Sequence, residues 1–245
     1  MKEIYLIRHT TPAVAKGICY GQTDLDITDS FSEEAAIIRQ HLPDVMVAVH
    51  SSPLQRCHRL ASHLFPAHPI VLHPELMEIH CGEWEMKGWD ELPKDEVEPW
   101  MKDFVQIRIP GGESYLDLHQ RVTRCYEGII AGSAGQQAED GGRPATGGRP
   151  AESGGRPAES SGRPAAGEGQ TQGPGPVAIV AHGGVIRSIL SYITNTPLID
   201  SFKVFSLHYG CVIRLFGETA PLQYEMLSNL AQEQKEQHKP RSFYK

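Results

Sequence analysis

Paired cysteines, long apolar runs and excess positive charge are what this 245-residue chain lacks. Its five cysteines, Cys19, Cys57, Cys81, Cys125 and Cys211, are odd in number and none has C-x-x-C spacing, which argues against a disulfide framework and a cysteine-rich zinc motif. No apolar run approaches the roughly 20 residues of a membrane-spanning helix, and Met1-Lys2-Glu3 leads into a strand-like run with no signal-peptide pattern. These absences set the expectation of a cytoplasmic protein with no membrane partner. A formal charge of −7 argues against a nucleic-acid surface. Any anion site must therefore be a local basic pocket.

One stretch lacks the means to form a core. From Ala131 to Pro176 there is no Val, Ile, Leu, Met, Cys or aromatic residue, and Gly-Arg-Pro-Ala recurs around Arg143, Arg149, Arg156 and Arg163. Such a composition buries too little apolar surface to offset its ordering entropy. It reads as a disordered insertion; a docking role for the arginines is weakened by Glu139, Asp140, Glu152, Glu159 and Glu168, which roughly cancel them. The domain expectation is one domain over residues 1–245, with a small helical cap at about 83–130, this insertion at about 131–176 and a polar tail at about 231–245.

The remainder alternates short apolar runs with helical stretches. Strands are expected at Glu3–Arg8, Val45–His50, Pro69–His73, Val177–His182 and Cys211–Phe216. Ser30 with Glu33, and Ser52-Pro53-Leu54-Gln55, look like capping boxes that open helices. Leu116 to Ile130 is a further helical stretch. This alternation predicts an α/β protein, a three-layer α/β/α sandwich with a mostly parallel central sheet.

Three strand ends carry the same chemistry. The first ends in Arg8-His9. The second ends in His50-Ser51-Ser52, with Arg56 just beyond. The fourth ends in His182-Gly183-Gly184, with Arg187 in the helix that follows. Open parallel sheets bind ligands outside the carboxyl ends of their strands, where helix N-termini add N–H donors. Arginines and histidines converging there make a pocket for a dianion. Alone, each would pass for a structural histidine or a solvated arginine.

These segments resemble the histidine phosphatase, or phosphoglycerate mutase-like, superfamily. Leu6-Ile-Arg-His-Thr10 is similar to its Arg-His-Gly signature, Ser51-Ser-Pro-Leu-Gln-Arg56 to its second motif and Ala181-His-Gly-Gly-Val-Ile-Arg187 to its third. Leu76 to Glu85 resembles the segment bearing the catalytic acid, and Pro110-Gly-Gly-Glu-Ser114 matches a further family turn. The resemblance implies that His9 is the nucleophile of a phosphohistidine mechanism. It implies that Arg8, Arg56 and His182 bind the phosphoryl oxygens, with His182 also counted as catalytic, and that Glu78 is the proton donor. The residues by themselves leave Glu83 and Glu85 as rivals to Glu78. Arginine forks do the electrostatic work that a metal does elsewhere, so no metal and no cofactor is expected. His63, His68, His73 and His80 lie close in sequence but fit no tight ligand spacing.

Two positions depart from the family pattern: Thr10 replaces a glycine, and Ala15 stands where many members carry asparagine. The loop Gly17-Ile-Cys-Tyr-Gly-Gln-Thr-Asp24 puts Gln22 and Thr23 in reach of a substrate, or is a plain connection. Arg-His-Thr-x-Pro with this loop resembles the α-ribazole phosphatases, which implies a small phosphomonoester partner, α-ribazole 5′-phosphate. A phosphoglycerate mutase, a broad phosphatase and an inactive phospho-ligand-binding scaffold are the alternatives. Trp84, Trp89, Trp100 and Tyr115 read as cap core, with stacking on a flat base as the sharper alternative.

Overall fold

The computed structural model describes residues 2–135, 175–217 and 222–229. Six strands form one sheet in the order β3-β2-β4-β1-β5-β6. They are β1 (Lys2–Arg8), β2 (Ala48–Ser51), β3 (Ile70–Leu72), β4 (Val177–Ala181), β5 (Val212–Gly217) and β6 (Gln223–Ser228). The first four are parallel neighbours, while β5 and β6 run antiparallel. The carboxyl ends of β1, β2 and β4 therefore share one edge.

Side-chain alternation along the strands divides the core in two. Ile4, Leu6, Ile179, Ala181 and Ile213 face the cluster that includes Leu118, Val122, Val185, Ile186 and Ile189. Those residues lie on α4 (Tyr115–Gly135) and α5 (Gly183–Thr194). Tyr5, Ile7, Ala178, Val180 and Val212 face Ala35, Ile38, Cys57 and Leu60. These belong to α1 (Phe31–Arg39) and α2 (Gln55–Leu64). The result is an α/β/α sandwich. Helices α3 (Lys94–Lys102) and α6 (Ser201–Val204) complete the described α-helices.

Both expected caps resolve differently. Ser30 Oγ donates to the Glu34 carboxylate (2.6 Å) and does not cap the helix by accepting a backbone N–H. Helix α2 starts at Gln55; the Ser52 hydroxyl accepts the Leu54 N–H only at 3.4 Å and lies 2.8 Å from His182 Nε2. Strand β6 had no counterpart in the sequence reading. Helix α4 continues to Gly135, past the expected start of the insertion. Most of the insertion and the polar tail lie outside the described residues.

Trp84, Trp100 and Tyr115 are buried in the larger core cluster, with Trp89 packed against it. Trp89 stacks on Trp100 (5.9 Å between centroids), and Trp84 Nε1 donates to Glu96 (2.9 Å). These rings therefore form core. No helix among the described residues is long and apolar enough to cross a membrane.

Candidate active site

His9 follows the last residue of β1. Its N–H donates to Ala181 O at 3.0 Å, and its carbonyl accepts from Gly210 at 3.1 Å. The ring is 2% exposed, and Nδ1 lies 2.7 Å from Thr10 O. A carbonyl only accepts, so Nδ1 holds the proton and Nε2 keeps the lone pair. His182, fully buried at the end of β4, sets its ring against His9 with 5.0 Å between centroids. Ser52 Oγ and Cys57 Sγ lie 2.8 and 3.4 Å from His182 Nε2. Burial pushes the His182 pKa well below 6.5, and the charges of Arg56 and Arg8 add to that.

Arg56, in the first turn of α2, is also completely buried. It donates to Thr23 O (2.9 Å) and Gly21 O (2.6 Å), and its Nε makes no hydrogen bond to a described residue. Arg8 donates to Leu207 O at 2.5 Å and lies 4.0 Å over the Tyr209 ring. Tyr209 is 5.4 Å from the His9 ring and shares a 2.6 Å hydrogen bond with Tyr20, whose ring lies 5.7 Å from the Arg56 guanidinium. The two tyrosines thus link the two arginines across the site. Arg187 donates to Phe205 O (3.0 Å) and lies over Phe202 (4.5 Å). A β-carbon at Gly183 would lie 3.1 Å from Arg187 Nη1 and 3.2 Å from Arg8 Nε, so glycine there lets both arginines approach the start of α5. Cationic groups on separate elements are thereby gathered beside the neutral His182, in an otherwise acidic protein.

The three candidate acids have different surroundings. Glu78 accepts the Gly184 N–H at 2.9 Å, at the N-terminus of α5 beside His182. The main chain at Glu78 is held by Gln22 Nε2 (3.1 Å) and Arg121 Nη2 (2.9 Å) at its carbonyl. Glu85 accepts from the N–H groups of Gly21, Gln22, Thr23 and Cys81 and from the Thr23 hydroxyl, at 2.6–3.3 Å. Burial works to raise its pKa, but the Thr23 hydroxyl and those N–H groups outweigh burial and hold it below 4.5. Glu85 is therefore the organiser of the 21–23 loop. Glu83 is exposed, beside Gly111.

Gln22 and Thr23 spend their side-chain donors inside the protein, on Glu78 O and Glu85 respectively. Thr10 is wholly buried, and its hydroxyl has no partner among the described residues; Ala15 is exposed. The four histidines weighed as a metal cluster separate: His63 meets Phe31, His68 lies 3.0 Å from Met46 O, the His80 main chain pairs with Glu113, and His73 meets His50. Sequence reasoning missed Tyr20 and Tyr209. Tyr20 sits in the loop already singled out, while nothing around Tyr209 marks it.

The family model for the histidine phosphatase superfamily (branch 1) matches residues 4–138. The chain belongs to the histidine phosphatase superfamily. It is thus an enzyme of the phosphatase/mutase type. A putative phosphoserine phosphatase 2 of Hydrogenobacter thermophilus is 24% identical over 91% of this chain and 95% of its own length. A probable phosphoglycerate mutase of Escherichia fergusonii is 32% identical over 50% of this chain, which spans 60% of that protein. In structure, the α-ribazole phosphatase from Shigella flexneri matches with a TM-score of 0.69 and 20% identity, covering 91% of this chain and 95% of that one.

Proposed function

We propose that this chain is a metal-independent phosphomonoesterase working through phosphohistidine on His9, with α-ribazole 5′-phosphate as substrate. The observation that carries the mechanism is the His9–Thr10 contact, which fixes the tautomer with the lone pair on Nε2. That lone pair attacks phosphorus as the ester P–O bond breaks. Arg8, Arg56 and His182 receive the charge on the phosphoryl oxygens, with Arg56 Nε, which has no partner among the described residues, as one ready donor. Glu78 gives its proton to the leaving alkoxide. The same carboxylate then takes a proton from water as the water oxygen attacks phosphorus and the P–N bond breaks. Phosphate leaves, and His9 regains its lone pair.

The substrate rests on two supports: the resemblance of Arg8-His-Thr-x-Pro12 and the 17–24 loop to α-ribazole phosphatases, and the fold shared with one. On this reading the enzyme serves cobalamin nucleotide-loop assembly in the cytoplasm. Gln22 and Thr23 act through the loop they fix. The mutase relative supports a second reading, isomerisation through the same phosphoenzyme.

One panel tests both readings: α-ribazole 5′-phosphate, phosphoserine and 3-phosphoglycerate, each with chelator present. Phosphate release fastest from α-ribazole 5′-phosphate is the expected result, and isomerisation outrunning release would overturn the phosphatase reading. His9→Ala retaining full turnover would sink the mechanism.

A further inference from the structure

A second cluster of chemically able side chains lies at the β3 edge of the sheet. His73 follows β3, and its N–H is fixed on Ser51 O at 2.9 Å. Glu75 lies two residues on, in a 3-10 turn spanning Pro74–Leu76. Arg121 Nη1 ties that turn to α4 through Glu75 O at 2.6 Å. Cys125 is one helical turn further along α4, a free thiol. One ligand atom each from His73, Glu75 and Cys125 lies within 4.8 Å of the others. His50, on β2, adds a contact of 2.8 Å from its Nδ1 to His73 Nε2.

We propose that His73, Glu75 and Cys125 bind a divalent ion of the zinc class, with His50 orienting the His73 ring. The donor set selects the metal. Imidazole nitrogen, carboxylate oxygen and thiolate sulfur together suit zinc-like ions, whereas calcium and magnesium require oxygen donors. Metal-bound histidines commonly have their other ring nitrogen held by a neighbour, and His50 supplies one for His73. Bonds of about 2.0–2.3 Å in a tetrahedron put donors roughly 3.3–3.8 Å apart. Closing on an ion therefore takes about 1 Å of movement, and Glu75 is exposed enough to make it. The nearby charge of Arg121 is met by its two-pronged ion pair with Glu113, at 2.8 Å on both prongs. Water fills the fourth position. Binding exchanges the Cys125 S–H bond for an S–metal bond, and the proton goes to buffer. The ion would clip β3, the 3-10 turn and α4 together, a structural duty independent of the chemistry at His9. Sequence spacing hides the site because its ligands come from elements about fifty residues apart.

The test is a cobalt titration of the chelator-stripped full chain, followed by zinc competition. One equivalent is expected to bind, with the visible bands of four-coordinate cobalt and a thiolate-to-cobalt charge-transfer band. Cys125→Ser should abolish the charge-transfer band, and His73→Ala should weaken zinc at least 10-fold. Glu75→Gln, at an exposed side chain, should keep the charge-transfer band while weakening affinity. A cooperative melt and unchanged phosphate release in Cys125→Ser show that the fold is intact. No stoichiometric binding, or a charge-transfer band that persists in folded Cys125→Ser, overturns the proposal.

Discussion

The Glu78 carboxylate accepts the Gly184 N–H at 2.9 Å, and a β-carbon at Gly184 would lie 2.2 Å from Glu78 Oε1. Glycine at 184 is thus required by the acid's position, although alanine is the better helix former. Gly184→Ala should push the carboxylate away while leaving Arg56, Ser52 and His182 alone. Turnover is expected to fall about 10–100-fold, part of the 10²–10⁴-fold typical of general acid–base catalysis. Inhibition by inorganic phosphate should stay within about threefold of the parent, since the anion shell is untouched. Steady-state kinetics with phosphate inhibition checks this, and unchanged turnover would remove Glu78 from the reaction.

Glu78 and Glu85 should separate cleanly as a pair. Glu78→Gln keeps an acceptor for Gly184 and loses the proton, so turnover should drop roughly 10²–10⁴-fold with little change in Tm. Glu85→Gln turns an NH2 group toward N–H donors that now find a carboxylate. That mismatch should cost about 2–4 kcal/mol and lower the Tm. The pH sign follows from its depressed pKa. Glu85 contributes stability that is complete above 4.5 and lost as pH falls through the lower folded value. Thermal melts between pH 5 and 3 should therefore be flatter for Glu85→Gln than for the parent. The reverse pattern, turnover lost at 85 and melting changed at 78, would exchange the two roles.

Burial and the neighbouring arginines hold His182 neutral in the folded chain. In the unfolded chain it titrates near 6.5, so below that pH the unfolded state binds the extra proton and folding stability declines. His119, also depressed by burial, contributes with the same sign. The Tm of the parent should fall as pH drops from 7 to 5, and His182→Asn should show a shallower fall. Parallel slopes in differential scanning calorimetry would mean that His182 is charged in the native state.

Strand ends were legible because apolar runs stop at Arg8, Ser51 and Ala181 for one physical reason: the sheet is covered on both faces. Three runs ending in polar, basic residues therefore predicted one edge. The choice among Glu78, Glu83 and Glu85 was not legible, because it turns on partners at positions 21–23 and 184. Ser52 looked like a cap because local pattern carries no knowledge of His182, 130 residues away. Strand β6 escaped although Gln223-Tyr-Glu-Met226 alternates polar with apolar residues, because the stretch is short and all four side chains are exposed. Tyr209 escaped because its stacking on Arg8 is set by a turn at the far end of the chain.

Arg121 ties the acid-bearing segment to α4 and uses every nitrogen to do so. Nε and Nη2 meet the Glu113 carboxylate at 2.8 Å, Nη1 meets Glu75 O and Met77 O, and Nη2 also meets Glu78 O. Glu113 in turn accepts the His80 N–H at 3.0 Å. The pair therefore fixes the main chain on both sides of Glu78 without touching the pocket. Lysine keeps the charge but lacks the planar fork, so it cannot hold two carboxylate oxygens and several carbonyls together. Arg121→Lys should cost about 1–3 kcal/mol of stability, because the fork's hydrogen bonds are lost while the charge stays. Turnover should fall by about 3–30-fold at a temperature where the variant is fully folded, because the Glu78 main chain has moved. Arg121→Met, which also leaves Glu113 unpaired, should do worse on both counts. A lower Tm with unaltered turnover would confine the pair to folding and leave Glu78 positioned by Gly184 and Gln22 alone.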